Sequence, residues 1–318
     1  MIQVRRDIRI SIVLVNWNTR ELLLDCIQSI YDNTEESRKE IIVVDNASTD
    51  GSVAAVRQRY PGVKLICNES NLGFSRANNI GIHESTGQYV CLINSDIKLI
   101  KGCLDILVKY LDNNKSVGLI GPKILNEDRT LQISCREYPT IWNNLCAALA
   151  LNLIFPRAGI FSGEMMTYFR HDKKKQVEVL VGCFLLTRKE VINGLGGLDE
   201  RYFIYAEDMD WCKRINEEGW KVIFNPDAHA IHYEGRSSLA FPIRFNLEQE
   251  KAILQYWQKH EGKYKTRCYI AIKAIHHLLR LISFSAGYAF FNNDVIKQKI
   301  ERSRMNLLWL GKQMRDRK

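Results

Sequence analysis

None of the nine cysteines forms a C-x-x-C pair, and their odd number is incompatible with a complete set of internal disulfides. Neither a paired zinc site nor a disulfide framework is therefore expected. Cys91, Cys103 and Cys183 sit inside apolar runs and read as reduced core residues of a cytosolic protein. The apolar stretch at residues 139–161 is broken by Pro139, Asn143, Asn144, Asn152 and Pro156, which argues against a membrane span. At the N-terminus, "MIQVRRDIRISIVLV" puts charges before a run too short for a cleaved signal. Where a nucleotidyltransferase would want a glycine-rich phosphate loop the chain has "NWNTRE", which does not provide one. There are no internal repeats, no low-complexity tract and no recognition module for nucleic acid.

What the chain does have is 318 residues with 46% hydrophobic composition, enough to bury a substantial core in one large domain with an appendage. Short β-branched runs alternate with helical patterns over the first hundred residues: "IRISIVLVNW", a helix carrying Leu22, Leu23, Cys26, Ile27 and Ile30, "EIIVVDN", a second helix, "VKLICNE", a helix around residues 77–83, and "QYVCLINSD". Strict alternation at this spacing predicts crossover units and an α/β fold with a mainly parallel sheet flanked by helices. Further on, "VEVLVGCFLLTRKEVI" reads as a buried strand entering a helix. Residues 207–218 read as a helix with an acidic first turn, and "KVIFNP" and "AHAIHYEG" as two short strands. Residues 1–240 are expected to form the main domain, and residues 241–318 a basic, amphipathic helical region.

In open parallel sheets, ligands gather at the carboxyl ends of the strands. Here those ends carry Asn16 and Asn18, Asp45 and Asn46, residues 68–71, and Asn94, Ser95 and Asp96. Asn and Asp are turn formers, and that role accounts for any one of these positions. A shared polar ligand accounts better for all four strand ends together.

The ordered motifs "SIVLVNWNTRELLLDCIQSI", "EIIVVDNASTDGS", "NLGFSRANNIGI", "YVCLINSDI", "GCFLLTRKEVINGLGGLDERYFIYAEDMDWCKRINEEGW" and "HAIHYEGRSS" resemble those of glycosyltransferase family 2, across about residues 8–240. These are inverting nucleotide-sugar transferases with the A-type nucleotide-diphospho-sugar transferase fold. Within them the likeness is to bacterial rhamnosyltransferases. The resemblance implies a nucleotide-sugar donor, a glycan or lipid-linked acceptor, and Mn²⁺ or Mg²⁺ on the diphosphate, since hard cations take oxygen ligands.

By the same resemblance Asp208 is the general base that takes the acceptor's proton, and Glu207 contacts the acceptor or orients that base. Asp210 is expected to be structural, and carboxylates in a first helical turn are favoured by the macrodipole in any case. Trp211 could offer a face to the acceptor sugar, although a tryptophan in helical register more often belongs to the core. Asp96 and His232 correspond to metal ligands. In the usual Asp-x-Asp the first carboxylate is here Asn94, which removes one negative charge beside Ser95. Asp45 corresponds to the residue that reads the donor base, with Asn16, Trp17 and Asn18 along it, and Arg76 and Asn79 match the segment that follows the nucleotide and diphosphate. Gly73 and Gly81 are expected to serve close packing.

The formal net charge is +9, and residues 297–318 contribute +6 of it. That tail, the apolar stretch at 139–161 and the amphipathic run at residues 266–291 fit a protein lying on an anionic membrane surface, peripheral on its cytoplasmic face. A helical cap or homodimer interface is the alternative. A protein that keeps the fold without the chemistry, binding sugar or assisting assembly, is a second functional reading, and Asn94 is its only support.

Overall fold

The computed structural model describes residues 8–34, 39–233, 242–291 and 293–315. Along the chain run β1 (Ile10–Asn16), α1 (Arg20–Asn33), β2 (Lys39–Asp45), α2 (Ser52–Arg59), β3 (Lys64–Cys67), α3 (Phe74–His83), β4 (Tyr89–Asn94), β5 (Ile97–Leu99), α4 (Cys103–Asn113) and β6 (Val117–Leu125). Then come β7 (Leu131–Gln132), β8 (Cys135–Arg136), α5 (Ile141–Ala148), α6 (Leu151–Ile154), α7 (Gly159–Ser162), β9 (Lys175–Gln176), β10 (Val179–Leu180), β11 (Phe184–Arg188), α8 (Lys189–Leu195), α9 (Glu207–Glu217) and β12 (Lys221–His232). The helices α10 (Pro242–His260), α11 (Lys263–Phe291) and α12 (Asp294–Arg315) follow. Contacts group the chain into two units, Met1–Arg136 with Arg170–Ala240, and Glu137–Phe169 with Phe241–Lys318.

In the first unit the main path of the sheet runs β3-β2-β1-β4-β11-β6-β12-β5. β1 to β4 pair parallel, as do β6 and β12, while β11 lies antiparallel between β4 and β6. β1 and β4 are apolar almost throughout because both faces are covered. Ile10, Ile12, Leu14, Ile41 and Val43 point to one face and share a core with Leu23 and Ile27 of α1 and Leu104 and Leu107 of α4. Ile42 and Val44 point to the other and meet Ala77 of α3. There Gly81 is a close-packing residue: a Cβ would sit 2.3 Å from Val13 Cγ1. All nine cysteines are free thiols.

Two expected elements differ in form. "VEVLVGCFLL" is split: β10 pairs with β8 in a separate two-stranded sheet, and β11 enters the main one, because the backbone at residues 181–183 leaves the ladder to bond elsewhere. Where two short strands are expected at residues 221–226 and 228–235, the described part, to Tyr233, holds one twelve-residue strand, β12, and a register shift between Asn225 and His229 absorbs Pro226.

The second unit is helical. Glu250 of α10 accepts from Lys273 (2.9 Å) and pairs with His277 (3.3 Å) of α11, and Asn306 of α12 donates to Asn246 Oδ1 at 2.9 Å. Trp257 and Tyr269 stack with ring centres 5.0 Å apart. Leu153, Ile154 and Ile160, together with Ile275 and Ile282 of α11, are exposed. Among the described residues no helix is long and apolar enough to cross a membrane.

Candidate active site

The carboxyl ends of β1 and β2 are laced by side chains. Asn16 Nδ2 donates to Asp45 Oδ1 (2.8 Å) and Ser48 Oγ (3.0 Å), and Ser48 N donates to Asp45 Oδ2 (2.8 Å). Thr19 stands at the N-cap of α1 without capping it. Its hydroxyl donates to Asn16 Oδ1 at 2.8 Å and lies 2.8 Å from Ser95 Oγ, so the three loops after β1, β2 and β4 share one network. Asn18, with φ of 54°, accepts from Thr49 N at 2.7 Å through its side chain and donates its backbone N–H to Ser48 Oγ at 2.9 Å. Trp17 is half-buried. Asp45 is buried with one bond on each oxygen, which leaves each a further lone pair.

At the next strand end, Asn94 N donates to Cys183 O at 3.0 Å, and the buried Asn94 Oδ1 has no hydrogen-bond partner. Asp96 Oδ1 lies 3.2 Å from His232 Nε2, both residues being 8% exposed, and Tyr233 N donates to Asp96 O at 3.0 Å. The pair meets because β5 and β12 run antiparallel with Ile97 opposite His232. His232 Nδ1 is 2.8 Å from Gln132 Oε1, a neighbour that no motif in the sequence marks. The remainder of "HYEGRSS" after Tyr233, and the tail residues Asp316, Arg317 and Lys318, lie outside the described residues.

One carboxylate and one imidazole suit a hard divalent ion. Cis ligands of an octahedral ion with bonds of about 2.1 Å stand about 3 Å apart, close to the separation of Asp96 and His232. Among the described residues no group of three or more His, Cys, Asp or Glu is gathered as for a metal.

Asp208 is the second residue of α9, which the chain enters through Tyr205 and Ala206 at φ of 72° and 62°, a strained entry of the kind found at functional sites. Its Oδ2 accepts from Gly182 N (2.7 Å) and its Oδ1 from Met209 N (2.8 Å). Glu207 is buried with Oε2 unpartnered. Burial, then the neighbouring Asp208 charge, pushes its carboxyl well above the usual range, which favours the protonated form.

Asp210 is structural as expected: it pairs with Arg214 at 2.9 Å, and Arg214 also donates to Leu195 O and Gly197 O. Trp211 overturns its expected role. It is 0% exposed and donates its indole N–H to Gly196 O at 3.2 Å, so its rings belong to the core and offer no face to a sugar.

Asn79 also departs from expectation. Its amide donates to Leu198 O (2.8 Å) and Glu200 Oε1 (3.1 Å) and accepts from Leu198 N (2.9 Å), committing it to the loop at residues 198–200. Arg76 bonds Glu200 at 3.2 Å and stays exposed. Gly73, at φ of 86°, lets the chain pass where a Cβ would lie 2.5 Å from Phe203 O. These contacts make α3 the support for the segment that leads into Glu207 and Asp208.

The profile of Glycosyl transferase family 2 matches residues 11–193, which covers the strand ends through Asp96 and stops short of Glu207, Asp208 and His232. The N-acetylglucosaminyl-diphospho-decaprenol L-rhamnosyltransferase of Mycobacterium tuberculosis is 30% identical over 213 residues, 62% of this chain and 67% of that protein. The dTDP-rhamnosyl transferase RfbF of Shigella flexneri is 26% identical over 93% of this chain and 92% of its own. Among solved structures, a mannosyltransferase from Pyrobaculum calidifontis in complex with GDP-Man and Mn²⁺ superposes with a TM-score of 0.58 at 17% identity, over 96% of this chain and 88% of that one. The fold is thus the A-type glycosyltransferase fold, a mostly parallel mixed sheet with helices and a helical C-terminal region.

Proposed function

The chain belongs to glycosyltransferase family 2, and from that premise we propose that it is an inverting rhamnosyltransferase of cell-surface polysaccharide synthesis, taking dTDP-rhamnose as donor. The observation that carries the reading is a junction: Gly182 bonds Asp208 while Cys183, next to it, bonds Asn94, so the base and the strand end with Asp96 and His232 share one rim. Asp45 reads the base of the donor, with Asn16, Trp17 and Asn18 beside it, and Asn94, Ser95 and Arg76 face the diphosphate.

Asp96 and His232 would hold Mn²⁺ or Mg²⁺, which when bound would offset the charge that grows on the departing diphosphate. Asp208 takes the proton from the acceptor hydroxyl on the opposite face of the sugar. Glu207, adjacent and with its carboxyl raised, orients that hydroxyl or Asp208 itself.

The acceptor is lipid-linked, of the kind that the Mycobacterium tuberculosis relative is named for. The second unit supports a station on the cytoplasmic face of an anionic membrane. It carries seventeen Lys and Arg against eight Asp and Glu, the whole of the chain's +9, together with its exposed apolar side chains. A homodimer through the same face is the competing use.

The test is thermal stability with dTDP, UDP and GDP, each with Mn²⁺, with Mg²⁺ and with chelator. A nucleotide at a hundredfold excess over its dissociation constant adds about 2.7 kcal/mol, which is several degrees in the midpoint. We expect dTDP with metal to stabilise most and chelator to cancel the effect. No response to any nucleotide with metal would remove the catalytic reading in favour of a fold that binds without transfer.

A further inference from the structure

The hairpin after β6 aligns four side chains behind His232, and the direction of every hydrogen bond in the line is fixed from its far end. A carboxylate can only accept, so the Thr130 hydroxyl donates to Asp128 Oδ1 at 2.6 Å. The Thr130 oxygen then accepts from Asn126 Nδ2 at 2.9 Å, which leaves Asn126 Oδ1 to accept from Gln132 Nε2 at 3.0 Å. Gln132 must therefore present Oε1, not its NH₂, to His232 Nδ1 at 2.8 Å. Turning the Gln132 amide over would set its oxygen against Asn126 Oδ1, two acceptors with no proton between them.

The neutral His232 ring accordingly carries its proton on Nδ1 and faces Asp96 Oδ1 with the bare lone pair of Nε2, 3.2 Å away. With Nδ1–H committed to Gln132, Nε2 and the carboxylate oxygen stand where one cation can be shared between them. We infer that Gln132 is a positioning residue for the divalent ion, fixing the His232 tautomer and ring orientation in which Nε2 and Asp96 ligate together. This rests on the metal role proposed for Asp96 and His232. It extends that role to a residue on β7, a strand of only two residues.

Four variants of the full chain, Gln132→Leu, Gln132→Glu, His232→Ala and the double variant Gln132→Leu with His232→Ala, are titrated with Mn²⁺ in the presence of dTDP, reading free Mn²⁺ by electron paramagnetic resonance. Outer partners of metal-bound histidines are worth about 10- to 100-fold in affinity. Gln132→Leu should lose that much. Gln132→Glu, which still accepts from Nδ1–H, should hold affinity near the parent or above it, and Gln132→Leu should add no further loss to His232→Ala. If His232→Ala binds Mn²⁺ like the parent, the metal reading itself falls. If His232→Ala is weakened while Gln132→Leu is not, the positioning role alone is overturned, as it is if Gln132→Glu is as weak as Gln132→Leu at an unchanged melting midpoint. A measurement without substitution at Gln132 guards against misfolding: long-range ¹⁵N–¹H correlation of the His232 ring, in a pH range where it is neutral, should report the Nδ1–H form. A dominant Nε2–H form would overturn the inference.

Discussion

Gly182 donates its backbone N–H to Asp208 Oδ2 across 2.7 Å, and the next residue, Cys183, accepts from Asn94 N at 3.0 Å. Two adjacent residues thus join α9 at Asp208 to the end of β4 at Asn94. The bond to Gly182 also holds the carboxylate in one orientation, with Met209 N on its other oxygen.

Asp208→Asn keeps the shape and removes the proton acceptor. Its amide can still accept one of the two backbone bonds, so donor affinity, read as the thermal shift with dTDP and Mn²⁺, should stay within about twofold of the parent. Transfer to acceptor should fall by about 10² to 10⁴. Turnover at the parental rate would reject Asp208 as the base.

A milder perturbation of the same contact is Gly182→Ala. A Cβ there would lie 3.2 Å from Asp208 Cβ and 3.4 Å from Oδ2, tight enough to move the carboxylate by a few tenths of an ångström. Since a displacement of about 1 Å at a reacting group can cost about 10²-fold, kcat should drop by about three- to tenfold with little change in KM for the donor. A change confined to KM would mean that the contact serves binding rather than the placement of the base.

Glu207 yields a pH signature. Its carboxyl is raised, by burial first and by Asp208 second, above the ordinary value of 4.5. The folded state therefore binds more protons than the unfolded one between 4.5 and the raised value. Stability from this group is present in full below 4.5 and is lost as pH climbs through that window. Gln is a neutral isostere, so Glu207→Gln should flatten the loss, and its stability relative to the parent should rise with pH in denaturant titrations. A difference that stays constant from pH 5 to 9 would mean that Glu207 is not held neutral.

The chain's alternating runs made the sheet legible, because strands buried on both faces must be apolar until they reach the rim, where Asn16, Asp45 and Asn94 stand. Gly81 was legible for a related reason, since a glycine inside a helical pattern needs a close neighbour and Val13 is that neighbour. Trp211 was misread because its position in an acidic helical turn does not say which face of α9 turns inward. Asn79 sits in a nucleotide-like motif, yet its partners lie 119 and 121 residues away. Gln132 lies on a strand too short for any periodicity, and its value depends on a histidine 100 residues on. The expected division of the chain at residue 240 did not separate residues 137–169, which group with the helices only through contacts remote in sequence.

The membrane proposal turns on the exposed tip of the second unit. Leu153 is 69% and Ile154 62% exposed, with Phe155 beside them at 49% and Arg157 two residues on. Burying one such side chain in a bilayer interface is worth about 1.5–3 kcal/mol, and each Lys or Arg near an anionic surface about 1 kcal/mol. The full chain should therefore float with phosphatidylserine vesicles at low salt and be released in part by 0.5 M salt, since screening removes the charge contribution and leaves the apolar one. Changing Leu153 and Ile154 to Ser together should weaken vesicle binding by more than tenfold, without altering the melting midpoint of a unit in which neither side chain is buried. A variant that floats like the parent would take the tip out of the membrane contact. A parent that stays in solution but sediments as a dimer, with the variant monomeric, would assign the same surface to a second copy of the chain.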